Sequence, residues 1–582
     1  MAKQTIKVDS AAEAYLRLLA DRGVDYLFGN AGTDFATIIE ALSKAALGEA
    51  IAPTPVTVPH ENVAVAMAHG YYLATGRPQA VMLHVTVGTA NGICGILNAA
   101  RDNVPVIFTA GRSPITEGDL PGARSIYIHW AQEMYDQGGM VRELVKWDYE
   151  LRNSEQLETV VDRALTVAMS APRGPIYLTL PREVLAHNPG SFTFDSPSRH
   201  NAAAPSAPDP NAIETAASWL AAAENPLIIA SSYGLQPGAV TALGDLAETH
   251  ALPVVVYRPR VLCLPTDHPM HAGFEPAALL KDADVVLTLD SDVPWIPNLH
   301  KLRPDAKVIQ IAADPMYSDI PIRGFPCDLA ITADSALAVK ALADAMAGVK
   351  AKKNGAADAR RKRIADIGAK GAEARKATVA QVGTGGPMQL PWVGHCLNQV
   401  VGKNDVVVNE SQVPMHFLRP NEPGSYFANS PAAGLGWCSG AALGIKLARR
   451  DKRVFAVMGD GSYMFGNPTP AHFVSASMDL PLLTVILNNK MWGAVRKATL
   501  GMHPAGAASR MNRSPLTMID PSPEYEKVVL ASGGYGERVD TAEALPKAID
   551  RALKAVEVDK RPAVLNVMTA YDDAQALADA KR

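Results

Sequence analysis

The sequence is poor in cysteine. Its 582 residues include five cysteines, which are scattered along the chain and form no CxxC pair. A disulfide scaffold needs an even number of cysteines at regular spacing, and a structural zinc site needs paired ligands. The pattern argues against both, and a sparse, odd count is typical of a protein from a reducing cytoplasm. The five residues are Cys94, Cys263, Cys327, Cys396 and Cys438.

Long apolar runs are also lacking. No stretch reaches the roughly 18 residues that a membrane-crossing helix needs. The N-terminal stretch MAKQTIKVDSAAEAYLRLL has no apolar segment of the signal-peptide type, and we predict that it opens a helix. We therefore expect a cytoplasmic protein that does not bind membranes.

An excess of positive charge is the third absence. The chain has 55 Lys and Arg against 59 Asp and Glu, a net charge of −4 and a pI of about 6.4. A nucleic-acid-binding protein would show a basic stripe, so we expect no nucleic acid partner. Hydrophobic residues make up 48% and charged residues 20%, an ordinary balance for a globular protein. The length predicts two to four domains of about 100–200 residues each.

Two irregular segments divide the chain into three parts. Residues 188–210 are rich in Pro, Ser and Ala and predict a linker. Residues 349–387 predict a second linker that contains an exposed charged helix and ends in GTGGP. The predicted domains are therefore residues 1–187, 211–348 and 388–582.

All three parts show the same alternation of short β-rich runs with Ala/Leu-rich stretches of helical length. Apolar strands that alternate with helices indicate parallel sheets covered on both faces. The sequence thus predicts an α/β protein of three domains, each a mostly parallel sheet flanked by helices. The predicted strands are YLFGN, AVMLHV, PVIFTAG and PIYLTLP in the first part, PLIIAS, PVVVY, DVVLTLD and KVIQIAA in the second, and DVVVNE, VFAVMGD, LLTVILNN and AVLNVMT in the third.

Two apolar runs of the third part end in oxygen-bearing side chains. Residues 454–458 stop at Gly459-Asp460-Gly461, and residues 482–487 stop at Asn488-Asn489. Ligands of open α/β sheets bind at the carboxyl ends of strands. A carboxylate and an amide oxygen suit magnesium, which commonly bridges to phosphate groups. The alternative is that GDG is a tight turn and NN a helix cap.

The spacing of these two motifs favours the first interpretation. GDG, 26 residues (462–487) and NN together resemble the diphosphate–magnesium signature of thiamine-diphosphate-dependent enzymes. The resemblance extends over all three parts and is to the branch that contains acetolactate synthase and benzoylformate decarboxylase. It implies a pyrimidine-binding domain first, a central domain second and a diphosphate-binding domain third.

The resemblance also assigns residues. HENVAVAMAHG resembles the family segment that carries the catalytic glutamate, which falls on Glu61, and PAAGLGWCSG places Leu435 where a bulky apolar residue bends the cofactor. Taken alone, Glu61 is also typical of a helix start and Leu435 of a core. The implied magnesium ligands are Asp460, Asn489 and the backbone carbonyl of Met491. The implied cofactor-binding residues are Glu61, Leu435, Gly459, Asp460, Gly461, Ser462, Asn489 and Met491.

Three further residues are candidates for the substrate side of the site. His84 lies where decarboxylase relatives carry a proton-relaying histidine, although it is equally typical of a hydrogen-bonded loop residue. Thr33 lies where those relatives carry a serine that holds the substrate carboxylate, and could instead be a helix N-cap. Gln132 resembles a glutamine of acetolactate synthases.

Together these assignments predict a thiamine-diphosphate- and Mg²⁺-dependent enzyme that makes or breaks the bond beside the carbonyl of a 2-oxo acid. We favour acetolactate synthase-like carboligation, with an aldehyde or a second 2-oxo acid as acceptor. The alternatives are benzoylformate decarboxylase-like release of an aldehyde and a non-catalytic homologue. We expect no FAD, since the central part lacks a glycine-rich dinucleotide loop. The family resemblance implies a homodimer or homotetramer with the active site at the subunit interface.

Overall fold

The computed structural model describes residues 2–236, 238–349, 355–383, 388–410 and 413–571. Three parallel sheets, each flanked by helices, form three α/β domains, and the predicted fold class is confirmed. The exact boundaries between the domains stay a prediction. Within the described ranges, no helix is both long and apolar enough to cross a membrane.

The first domain is built on a six-stranded sheet in the order β3-β2-β4-β5-β7-β6, with every neighbouring pair parallel. Strand β4 is central, and all four of its residues are buried because helices cover both faces. The elements are β1 (Ala2–Lys7), α1 (Ala11–Asp21), β2 (Tyr26–Asn30), α2 (Ala36–Ala46), β3 (Thr54–Thr57), α3 (Glu61–Thr75), β4 (Ala80–Leu83), α4 (Val85–Arg101), β5 (Ile107–Arg112), α5 (Ile128–Ala131), β6 (Asp148–Glu150), α6 (Leu157–Met169), β7 (Ile176–Pro181), α7 (Arg182–Ala186) and β8 (Ser191–Ser196).

The central domain has a five-stranded parallel sheet in the order β10-β9-β11-β12-β13. Its elements are α8 (Pro210–Ala222), β9 (Pro226–Ala230), α9 (Ala239–His250), β10 (Val254–Val256), α10 (Ala277–Leu280), β11 (Val285–Leu289), β12 (Lys307–Ala312), β13 (Leu329–Thr332) and α11 (Ser335–Gly348). The charged helix predicted after this domain is present as α12 (Ala356–Val382). It packs on the domain through Arg360 and Arg361, whose side chains donate to backbone carbonyls of residues 248–251 at the end of α9.

The third domain repeats the architecture of the first. Its six strands are parallel and follow the order β15-β14-β16-β17-β19-β18, which is the order of the first sheet. The elements are α13 (Leu390–Val400), β14 (Val406–Asn409), α14 (Met415–Leu418), β15 (Tyr426–Ala428), α15 (Trp437–Ala448), β16 (Val454–Gly459), α16 (Asp460–Phe465), α17 (Pro468–Ser477), β17 (Leu483–Asn488), α18 (Gly493–Met502), β18 (Tyr535–Val539), α19 (Leu545–Glu557) and β19 (Ala563–Met568).

The N-terminus and the first predicted linker differ from the sequence predictions. Residues 2–7 form strand β1, and the first helix begins only at Ala11. Strand β1 pairs antiparallel with β8, which lies inside the segment 188–210 that we predicted to be irregular. Each strand alone is short and mixed in polarity, so neither shows a clear period. They are stabilised by pairing with each other across about 190 residues of sequence, a contact that no local pattern reveals.

The first and third domains meet through α3 and α15, which occupy equivalent positions in the two domains. The helices cross closely because glycines face the partner backbone. A side chain on Gly70 would overlap the Ala441 carbonyl, and one on Gly444 would overlap the Met67 carbonyl. Both helices are almost completely buried. This contact brings the N-terminal ends of α3 and α15 close together within one chain. Glu61 begins α3, and Leu435 lies just before α15.

Candidate active site

The GDG and NN motifs lie next to each other at the carboxyl ends of β16 and β17. The carboxylate of Asp460 accepts the backbone N–H of Gly461 at 3.0 Å and the backbone N–H of Lys490 at 2.9 Å. Asp460 is 3% exposed, and burial raises its pKa to about 6. Within the described residues it forms no ion pair with a basic side chain. A buried carboxylate without a counter-ion is costly, so this position suits a bound cation.

The turn after β17 holds the second set of oxygens. Asn488 is fully buried and hydrogen-bonds to Ser522 and Asn566, so it is committed to the protein interior. Asn489 is half-buried, and its side-chain oxygen accepts the N–H of Met491 at 3.1 Å. Lys490 between them has φ 61°, a left-handed conformation that a non-glycine residue rarely adopts. Such strain concentrates at functional sites, where the surroundings hold it in place.

The two glycines of GDG have different surroundings. A side chain at Gly459 would meet nothing within 4 Å, so open space lies beside this residue. A side chain at Gly461 would overlap the indole of Trp492, which covers the loop. Ser462, one residue later, hydrogen-bonds to Glu410 at the carboxyl end of β14. The loop is thus open on the side where a ligand could approach and packed on the other.

Glu410 ties the start of α15 to the GDG loop. Its carboxylate accepts the backbone N–H groups of Gly436 at 2.6 Å and Cys438 at 2.5 Å. Burial raises the pKa of Glu410 to about 7, although its hydrogen-bond donors oppose the rise. Leu435, immediately before this helix start, is half-buried. Its position is therefore set by Glu410 on one side and by the first domain on the other.

The first domain contacts the Leu435 segment within the same chain. Asn98 exchanges two hydrogen bonds with the Gly434 backbone, at 2.9 and 3.0 Å, and the Asn62 side chain lies 3.5 Å from the Leu435 carbonyl oxygen. Glu61 is the neighbour of Asn62, so it lies at this junction. Glu61 and Asp460 share no hydrogen-bond partner in the described part of the chain.

Glu61 is held by two asparagines. Its Oε1 accepts from the Asn30 side chain at 2.8 Å, and its Oε2 accepts from the Asn91 side chain. Asn30 ends β2 and Asn91 lies on α4, so two elements of the sheet edge orient this carboxylate. Glu61 is half-buried and opens α3, as the helix-start interpretation also predicted. Glu61 therefore begins a helix, and hydrogen bonds from two asparagines also orient its carboxylate.

His84 and Gln132 are brought together by a third residue, Asp34. The Nδ1 of His84 lies 2.6 Å from Asp34 Oδ1, and its Nε2 lies 3.2 Å from the Gln132 side-chain nitrogen. The hydrogen bond to Asp34 raises the pKa of His84, against the effect of burial. His84 follows β4 and Asp34 follows β2, so this group belongs to the same sheet edge as Glu61.

Thr33 does not join this group through a hydrogen bond. It is exposed and opens a short 3₁₀ helix, Thr33–Phe35, so that its neighbour Asp34 points to His84 instead. The N-cap alternative is wrong for Thr33, because Gly32 precedes the turn and no side chain caps it. Thr33 remains a candidate for contact with a substrate.

The residues present suit magnesium and a diphosphate. The oxygens available are one buried carboxylate, one amide and backbone carbonyls, and the carbonyl of Met491 accepts the Gly493 N–H at 3.0 Å. In the described ranges no cluster of three or more His, Cys, Asp or Glu side chains could hold a metal. So few protein charges are typical of a magnesium ion that also binds phosphate oxygens.

In the central domain, polar groups at the reversal point of the sheet bond to one another. Ligands of such sheets bind where the strand order reverses, here at the carboxyl ends of β9 and β11. Ser231 at that point hydrogen-bonds to Ser291 at 2.7 Å and to the Tyr257 carbonyl at 2.8 Å, and Ser232 donates to the Asp290 carbonyl at 2.7 Å. These polar groups satisfy one another. The expectation that FAD is not bound stays a prediction.

Four residues of the site were not identified from the sequence: Asn30, Asp34, Asn91 and Glu410. Asn30 is the last residue of β2, and Glu410 directly follows β14, just as Asp460 directly follows β16. Applying the strand-end criterion to every predicted strand would have found both. Asp34 and Asn91 carry no comparable signal, because only the tertiary fold brings them to His84 and Glu61.

Comparison with known proteins agrees with this geometry. Three family models match in order: the N-terminal TPP binding domain of thiamine pyrophosphate enzymes over residues 9–140, the central domain over 213–342 and the C-terminal TPP binding domain over 409–567. The benzoylformate decarboxylase of Pseudomonas aeruginosa is 26% identical over 457 residues, which cover 75% of this chain and 79% of that protein.

An acetolactate synthase matches over a longer stretch. The isozyme 3 large subunit of Escherichia coli is 25% identical over 566 residues, covering 94% of this chain and 92% of that protein. The solved 4-hydroxybenzoylformate decarboxylase of Rhodococcus jostii has a TM-score of 0.77 at 22% identity over 97% of this chain and all of that one, a likeness of fold. With three matched domains and two thiamine-diphosphate-binding regions, the chain belongs to the thiamine pyrophosphate enzyme family and is related to both acetolactate synthases and benzoylformate decarboxylases.

Proposed function

We propose that this chain is a magnesium- and thiamine-diphosphate-dependent enzyme that decarboxylates a 2-oxo acid and releases the aldehyde. The observation that carries the proposal is the imidazole of His84, held between Asp34 and Gln132 at the sheet edge that also presents Glu61. Release of an aldehyde requires that the reacting carbon receive a proton. A histidine fixed on both ring nitrogens is suited to deliver it.

The cofactor would be held mainly by the third domain. Asp460, the Asn489 side chain and the Met491 carbonyl would hold magnesium, while Gly459, Gly461 and Ser462 would face the diphosphate. Leu435 would support the bent form of the cofactor. When bound, the cofactor stabilises the negative charge left on the carbonyl carbon as carbon dioxide departs.

The first domain would supply the proton transfers. Glu61 would bond to a ring nitrogen of the cofactor pyrimidine, and its two asparagine partners set the direction of its carboxylate. The Nε2 of His84 would give a proton to the carbon that has lost carbon dioxide. Thr33, which is exposed beside Asp34, would hold the substrate carboxylate. The proton consumed and the carbon dioxide released balance the conversion of a 2-oxo acid anion to an aldehyde.

Carboligation, which the sequence favoured, is the second candidate. Gln132 lies at the site and resembles a glutamine of acetolactate synthases, and an acetolactate synthase matches nearly the whole chain. In that reaction the carbon attacks an aldehyde or a second 2-oxo acid before protonation. A non-catalytic role is disfavoured, because Glu61, Asp460 and Asn489 are all present.

Product analysis decides between the candidates. The purified protein with magnesium and thiamine diphosphate is incubated with a panel of aliphatic and aromatic 2-oxo acids, and products are identified by mass spectrometry. We expect carbon dioxide and aldehyde in equal amounts. His84→Asn should slow aldehyde release about 10²–10⁴-fold, whereas the exposed His200→Asn control should not. An acyloin or acetohydroxy acid as main product would support carboligation, and no product from any substrate would refute both.

A further inference from the structure

We propose that Asp34 is a positioning residue that accepts a hydrogen bond from Nδ1 of His84 and thereby directs proton exchange to Nε2. The catalytic meaning of this inference rests on the proposed function. The arrangement of the pair does not, and it can be tested in protein without substrate.

Hydrogen bonds fix the relative position of Asp34 and His84. Asp34 is 3% exposed, and its two oxygens face His84 Nδ1 at 2.6 Å and the Val85 backbone N–H at 3.3 Å. Asp34 Oδ2 already accepts the Val85 N–H, and a carboxylate group acts as an acceptor here, so the His84 tautomer that fits the pair donates from Nδ1. Since Nδ1 carries a proton in both charge states of the ring, the proton that comes and goes is the one on Nε2.

Two glycines leave room for this pair. A side chain on Gly32 would overlap the His84 ring, and a side chain on Gly111 would overlap the Asp34 carboxylate. The imidazole and the carboxylate are thus enclosed by backbone, one glycine against each. Neither side chain can rotate far without a clash, which holds the ring orientation as well as the hydrogen bond.

Gln132 suits both states of Nε2. Its side-chain amide lies 3.2 Å from this nitrogen. The NH₂ group can donate to a neutral Nε2, and after the amide turns over, its carbonyl can accept from a protonated one. Asp34, His84 and Gln132 therefore form a chain in which a single nitrogen changes its protonation.

The charges around His84 act in the same direction. Asp34 raises the pKa of His84 most strongly, Glu61 at the start of α3 adds to the rise, and burial opposes it. Gln132 on the opposite side is neutral. His129, on the neighbouring helix α5, has a lowered pKa, caused first by burial and then by Arg182 and Arg124. The environment of His84 thus differs from that of a nearby histidine on the same domain.

The test measures the protonation of His84 directly. Diethyl pyrocarbonate acylates only neutral imidazole, so the rate of His84 modification, followed by peptide mass spectrometry, gives its titration midpoint in the cofactor-free full-length protein. Wild type should titrate above the ordinary value of about 6.5. Asp34→Asn keeps the shape and an acceptor oxygen but removes the charge, so its midpoint should fall by about one unit. Below both midpoints His84 should then react about tenfold faster, while exposed His200 should not change.

Two results would overturn the inference: a His84 midpoint unchanged in Asp34→Asn, or a wild-type midpoint at or below about 6.5. The second measurement needs no variant and decides the matter if Asp34→Asn fails to fold. The proposed function is judged separately. A shifted midpoint in a protein that turns over no 2-oxo acid would refute the function alone, whereas an unshifted midpoint in an active decarboxylase would refute the role of Asp34 alone.

Discussion

At the scale of single residues, Asp460 carries a negative charge that water hardly reaches. Its carboxylate joins the GDG loop to the turn after β17. We predict that Asp460→Ala abolishes binding of magnesium and thiamine diphosphate, because the GDG loop loses its buried carboxylate. Calorimetric titration should show that affinity falls by more than about 100-fold. Loss of a residue that only hydrogen-bonds to a metal ligand typically costs about 10–100-fold, and loss of the ligand itself should cost more. Asp451→Ala, an exposed change in the same domain, should bind normally. Normal binding by Asp460→Ala would refute the metal assignment.

A variant of Glu61 separates the catalytic step from cofactor binding. Glu61→Gln keeps the shape but removes the acid–base function, so cofactor affinity should fall little. Exchange of the C2 proton of bound thiamine diphosphate for deuterium should slow about 10²–10⁴-fold. The control is Glu40→Gln on the exposed face of α2, which should exchange like wild type. Unchanged exchange in Glu61→Gln would reduce Glu61 to a structural helix-start residue.

Glu410 predicts a pH dependence of stability. Its folded pKa of about 7 lies above the value of about 4.3 expected in the unfolded chain. The folded state therefore binds more protons between these values, and stability falls as pH rises through this window. Glu410→Gln lacks this titration. In the cofactor-free protein, the free energy of unfolding of Glu410→Gln minus that of wild type should rise from pH 5 to pH 8, by up to roughly 1.4 kcal/mol per pH unit. Thermal unfolding of both proteins at each pH measures this difference. A difference in stability between variant and wild type that stays constant from pH 5 to pH 8 would contradict the raised pKa of Glu410.

Sequence reasoning placed Asp460 directly after a strand, and the structure has it there. Its role as a metal ligand stays a prediction. Sequence reasoning did not find side chains whose partner comes from another element. Asp34 is one residue from the predicted Thr33, yet the direction of a side chain on a 3₁₀ turn decides which of them meets His84. Asn91 likewise reaches Glu61 only because α3 and α4 pack together.

At the scale of secondary structure elements, the crossing of α3 and α15 depends on missing side chains. We predict that Gly444→Ala destabilises the protein by about 1–3 kcal/mol, because the new methyl group would overlap the Met67 carbonyl. Gly368→Ala on exposed helix α12 is the matched control, since nothing lies within 4 Å of its added carbon. That change should stabilise by up to about 1 kcal/mol. Thermal unfolding measures both, and equal shifts of the two variants would contradict the close crossing.

Predicted strands were those with continuous apolar sequence. All twelve correspond to observed strands, for example β4 and β16 in the interior of their sheets. The strands that escaped prediction include β3, β6, β13 and β18, which lie at sheet edges. Their residues are largely exposed or half-buried, since an edge strand has one open side and short length. An apolar run in the sequence therefore indicates burial, and it identifies a strand only where that strand is buried.

At the scale of the whole molecule, apolar side chains are exposed beside both halves of the site. Val87 on α4 is 53% exposed, and Phe465 and Val495, which follow the GDG and NN motifs, are 52% and 49% exposed. We predict that a second copy covers them, as the family resemblance implied. Sedimentation velocity at assay concentration should show a dimer or tetramer. Phe465→Asp should weaken the assembly and the activity together, whereas Ile322→Asp, on a 91% exposed residue of the central domain, should not. A fully active monomer would refute an interfacial active site.

The first and third domains share one architecture. Their six strands follow one order, the equivalent helices α3 and α15 join them, and the central domain separates them in the chain. The residues proposed for the site are divided between these two domains: Glu61 and His84 belong to the first, and Asp460 belongs to the third. Neither domain taken alone therefore presents the whole set, and a protein cut between them would separate the proposed proton-transferring residues from the proposed metal ligands.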